Sequence, residues 1–79
     1  MIERISIKPT VCHGQACIKG TRIPVTQILH MLANGDTAES LLQEYPSIKN
    51  EDILACLEYA ALIAEEKLIT ILVREGLLS

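Results

Sequence analysis

Residues 13–25 read HGQACIKGTRIPV, and the order of glycines, β-branched residues and proline in this stretch decides what surrounds it. Gly14 and Gly20 stand where an extended chain must turn, with Cys17-Ile18 between them and Thr21-Arg22-Ile23 after. Pro24 then removes a backbone donor just before the residue pattern changes. The stretch reads as short strands or an irregular β-like arm that delivers the chain into its first helix. Its glycines do not precede a helix at phosphate-cradling spacing, so no anion loop is implied.

On the N-terminal side, IERISIK at 2–8 alternates Ile2, Ile5 and Ile7 imperfectly with charged residues, which predicts a short edge strand ending at Pro9. On the C-terminal side the period changes. Val25, Ile28, Leu29 and Leu32 recur at helical spacing and predict a helix over 25–34, ended by Asn34-Gly35. A second helix over 37–45 is headed by Asp36 with Glu39 as a capping box, or by Thr37, and stops before Pro46. A third over 50–66 carries Ile53, Leu57, Ala60, Ala61 and Ala64 as its inward stripe, leaving Asn50, Glu51, Leu54, Ala55, Glu58 and Leu62 outward. LITILV at 68–73 reads as a strand from its β-branched residues, while Leu68, Ile71 and Leu72 equally continue the helical stripe. The expected organisation is one domain: an arm at 1–24, three helices at 25–66 and a partner or dimer segment at 67–79. The fold class is α+β, mainly α, with the spacing of a helix-turn-helix bundle.

A chain of 79 residues buries only about 60% of its unfolded surface. Yet it is 49% hydrophobic, has a mean hydropathy of +0.31 and holds 11 Ile and 11 Leu. That is more aliphatic surface than so small a core encloses, so a homo-oligomer or a tight complex is expected. No apolar run approaches the roughly 18 residues of a membrane span, and a cytoplasmic chain with reduced Cys12, Cys17 and Cys56 is expected. The net charge of −3 is unevenly spread. Residues 1–30 hold four cations against one carboxylate, and residues 31–79 hold three against nine. A polyanion would meet the first part and a cationic partner the second.

HGQACIKGTRIPV, followed by ILHMLANGDTAESLLQEYPSIKNEDILACLEYA, resembles the family catalogued as Domain of Unknown Function 433. The resemblance spans about residues 5–61 and is most specific at Gly20 to Val25, with Gly35, Tyr45-Pro46, Asp52-Ile53 and Tyr59-Ala60 in support. It implies a homeodomain-like trihelical fold preceded by a β-arm, and the role of an antitoxin beside a small PIN-like nuclease toxin. One departure stands out. Where the family commonly places Thr as the cap of the third helix, this chain has Lys49, and Asn50 is expected to cap one residue later.

Candidate sites follow from these patterns. Lys8, Lys19 and Arg22, gathered by the glycine turns, and Asn50 at the head of the third helix are the candidates for nucleic-acid contact. For Arg22 a bracing role is favoured, its guanidinium holding the arm on the bundle through carbonyls or a carboxylate. The outward carboxylates of the third helix disfavour it as a groove reader. Leu54, Leu62, Leu68, Ile69, Leu72, Leu77 and Leu78 are the candidates for a partner or dimer interface. Cys12, His13 and Cys17 lack the second ligand pair of a zinc site, and no nucleophile elbow, phosphate loop or His-Glu-x-x-His motif is present. No cofactor and no catalysis are expected. The readings are an antitoxin-like module that binds a PIN-like nuclease and contacts operator DNA, a stand-alone DNA-binding regulator, or a structural oligomerisation domain.

Overall fold

A computed structural model describes residues 1–65 and 73–74 of the chain. Strand β1 (Ile5–Ile7) pairs antiparallel with β2 (Ala16–Ile18), and three helices follow: α1 (Val25–Ala33), α2 (Ala38–Glu44) and α3 (Asn50–Ala64). The described chain is thus α+β and mainly α. Of the expected strand over 68–73, residues 68–72 lie outside the described residues, and Val73 is helical and exposed.

The first strand is shorter than its Ile spacing predicts. Ile2–Arg4 forms a single 3-10 turn, closed by Arg4 N–H donating to the Met1 carbonyl at 3.0 Å, which tucks Ile2 into the core. Register then follows as Ile5 to Ile18, Ser6 to Cys17 and Ile7 to Ala16. Beyond β2 the chain folds back on itself. Ile18 N–H reaches the Ile23 carbonyl at 3.0 Å, Thr21 Oγ1 donates to the Ile18 carbonyl at 2.7 Å, and Ile23 N–H donates to Thr21 Oγ1 at 3.1 Å. One threonine therefore satisfies both sides of the turn that brings Pro24 to the head of α1.

α1 forms as its apolar spacing predicts, with Val25 and Ile28 fully buried and Leu29 and Leu32 packed against the core. It ends in a Schellman arrangement: Asp36 N–H bonds the Met31 carbonyl, Gly35 N–H bonds the Leu32 carbonyl, and Gly35 takes φ +97°, which glycine adopts without a Cβ clash. Of the two caps open for α2, Thr37 is used, its hydroxyl accepting from Ser40 N–H at 3.1 Å.

α3 departs from expectation at its head and in its rotation. Asn50 is its first helical residue and not its cap. Lys49 occupies the cap position without a side-chain bond, and the Asp52 carboxylate reaches back to Lys49 N–H at 2.9 Å. This is the returning half of a capping box, made without a hydroxyl at the cap itself. The inward face is also turned by about one residue, roughly 100°. Ile53 is buried as expected, but its companions are Asp52, Ala55 and Cys56, while Leu57 is 45% exposed and Ala61 and Ala64 face solvent. The arm explains the rotation. Both the N-terminal turn and β1 pack on α3 together with α1 and α2, so α3 is enclosed from more sides than a three-helix stripe allows for.

Candidate functional site: a basic cleft and the outward face of α3

The guanidinium expected to brace the arm is present, but it belongs to Arg4. Its Nη1 meets Asp52 Oδ1 at 3.0 Å, across 48 residues of sequence, while the other Asp52 oxygen holds Lys49 N–H. One buried carboxylate therefore starts α3 and ties it to the N-terminal turn. Arg22 is exposed, and among the described residues its side chain makes no hydrogen bond or ion pair. Thr21 does the local bracing instead.

Lys8 and Arg22 do come together, as lining residues of a cleft of about 330 Å³ whose other walls are Ser6, Val11, Cys17, Gly20 and Thr21. Lys19 is exposed in the neighbouring turn without lining it, and its N–H is taken by the Arg4 carbonyl at 2.8 Å. Asn50 is exposed at the head of α3 and is not part of the cleft. At its wall the Cys17 thiol donates to the Thr21 carbonyl at 3.6 Å and is pushed up to about 11 by burial and by its contact with the Cys12 thiol. Cys56, on the buried side of α3, is likewise pushed up to about 11 by burial and by the nearby Asp52 charge. Such thiols are neutral near pH 7 and poor nucleophiles. Cys12 and His13 carry positive φ of 53° and 55° ahead of Gly14, and among the described residues no three His, Cys, Asp or Glu side chains converge as metal ligands.

Of the interface candidates, Leu54 is 44% exposed on α3, whereas Leu62 is partly buried against the core. Leu68, Ile69, Leu72, Leu77 and Leu78 lie outside the described residues. The rotation of α3 adds Leu57, Ala61 and Ala64 to the exposed side, residues that sequence reasoning placed inward. Their spacing with Leu54, 54-57-61-64, is visible in the sequence but does not report which face of the helix is exposed. A second apolar feature was not anticipated: a groove of about 640 Å³ between the arm, α1 and the end of α3, lined in part by Ile7, Ala16, Leu29, Tyr59 and Ile63. No helix of the described residues is long and apolar enough to cross a membrane.

Comparison with known proteins agrees with this architecture. The chain is similar to the crystal structure at 2.00 Å of a DUF433 member from Anabaena variabilis ATCC 29413, with a TM-score of 0.74 and 38% identity over 81% of this chain and 63% of that one. It is 31% identical over 58 residues to the uncharacterized protein y4eO of Sinorhizobium fredii (strain NBRC 101917 / NGR234), a match covering 73% of this chain and 26% of the relative. The chain thus spans about a quarter of the length of that curated relative. The family described as "Protein of unknown function (DUF433)" matches residues 5–60, from the first residue of β1 to the last third of α3, and the chain belongs to that family.

Proposed function

We propose that the chain is a non-enzymatic, antitoxin-like module of the cytoplasm that captures and neutralises a small PIN-like nuclease. The observation that carries this reading is the outward side of α3, where Leu54 and Leu57 are exposed on a helix that contains three acidic residues and no Lys or Arg. Exposed leucines on an ordered helix favour protein contact. The acidic setting favours a basic partner, and a nuclease that must attract nucleic acid carries such a surface. The chain would then occupy the charge that the nuclease uses on its substrate. Co-expression with the products of the adjacent genes tests the reading: a PIN-like nuclease among them co-purifies with the chain if it holds, and elutes separately, or is not encoded there, if it does not.

A second reading, a helix-turn-helix regulator in a homeodomain-like arrangement of α2 and α3, is favoured by one observation, the shared cleft of Lys8 and Arg22. Two cations at one cleft, with Lys19 nearby, give a small phosphate footprint, and α3 itself offers carboxylates where a groove reader offers amides and cations. In this reading a mobility shift on operator DNA weakens steeply with salt and disappears in the K8E/K19E/R22E variant. Retention of the shift in that variant removes the basic arm from the account. Self-association through the exposed apolar surface is compatible with both readings and is read directly by sedimentation.

A further inference from the structure

We infer that the outward face of α3 is a docking seam for a cationic amphipathic helix of the partner protein, an inference that rests on the partner-capture reading above and assigns its surface. At about 100° per residue, Leu54, Leu57, Ala61 and Ala64 fall within an arc of about 80°. All four are exposed. Over its 15 residues α3 runs about 22 Å, so this apolar line is long enough to face several turns of another helix. Leu54 and Leu57 supply bulk at one end, and the two alanines at the other let a partner backbone approach closely.

Charge decides what can lie there. Glu51, Glu58 and Glu65 recur every seven residues and form a row along one flank of the line, all three exposed. The other flank turns into the protein and carries no charge, with Ile53 buried and Ala60 half-buried. A second copy of α3 is a poor occupant because the helix has no cation of its own. Two copies packed antiparallel set one glutamate row against the other. Packed parallel, they set Glu58 and Glu65 against a flank of the second copy that carries no charge and offers them no cation. Among the described residues the only cation within 4.0 Å of the row is the Met1 ammonium, 4.0 Å from Glu58 and already held by Glu3 at 2.7 Å. A helix with an apolar seam and Lys or Arg on a single flank satisfies both the leucines and the carboxylates, and its one-sided charge fixes the orientation in which it lies.

The test uses the full chain and two synthetic helical peptides that share a Leu/Ala seam. One carries lysine at every seventh position along one flank, and the other carries glutamate there. In a nuclear magnetic resonance titration the lysine peptide shifts the amides of residues 50–65, and the glutamate peptide binds at least about tenfold more weakly. The E51K/E58K/E65K variant reverses that preference, and L54D, a change at an exposed position that leaves the thermal melt unchanged, removes binding of both. Equal binding of the two peptides, no binding of the lysine peptide, shifts confined to another face, or dimerisation through α3 that excludes the peptide overturns the inference. A nuclease that co-purifies with wild type and E51K/E58K/E65K alike overturns this surface and leaves partner capture standing. A lysine peptide that binds as stated, where no nuclease co-purifies, leaves the surface standing and removes the nuclease reading.

Discussion

Asp52 carries more of the architecture than any other single side chain described. It accepts Lys49 N–H at the head of α3 and the Arg4 guanidinium from the N-terminal turn, so its removal frees a helix end and a cation together. Asp52→Ala is expected to lower stability by about 1–3 kcal/mol, and Arg4→Ala by less, about 1 kcal/mol, because the Arg4 side chain remains 36% exposed and partly hydrated. Urea unfolding of both single variants and the double variant measures this, with an excess cost for Asp52→Ala marking the cap contribution. The buried thiols predict a pH dependence. Cys17 and Cys56 are raised from 9.0 to about 11 in the folded chain, so the unfolded chain deprotonates first as pH rises. The contribution of these two thiols to stability is therefore level below pH 9 and falls between pH 9 and 11. Urea midpoints across that window check the sign, and midpoints that rise there contradict it.

At the scale of elements, the helix ends were legible where the signal was local. Asn34-Gly35 closed α1, and Thr37 opened α2, because such ends are decided by the φ of one residue or the reach of one hydroxyl. Thr37→Ala is accordingly expected to cost about 1 kcal/mol, read as a fall in melting temperature with unchanged helical circular dichroism at low temperature. What failed was decided at long range. The phase of α3 depends on a turn 48 residues away through Arg4 and Asp52, and no periodicity within Asn50–Ala64 reports it. With leucine at 54 and 57, isoleucine at 53 and 63, and alanine at 55, 60, 61 and 64, the helix carries apolar residues on every side, and only its packing partners choose among them. The same ambiguity hid the candidate site. Glu51, Glu58 and Glu65 were visible as charges in sequence, but their standing beside an exposed apolar line follows from the rotation. Arg22 misled for the converse reason: its place in the arm suggested bracing, and the brace is made by Thr21 locally and Arg4 at a distance.

Across the whole molecule, the uneven charge of the sequence becomes two separate surfaces. A small cleft holding Lys8 and Arg22 lies in the arm, and an acidic, leucine-bearing helix face lies on α3. The role proposed above belongs to the second. We propose that the chain neutralises a basic nuclease by binding it there, and this is tested by the activity of a purified PIN-like nuclease encoded in an adjacent gene, followed as the chain is titrated in. Cleavage is expected to fall in proportion to added chain and to be abolished at stoichiometric ratio. Cleavage that persists undiminished with the chain in excess would contradict it.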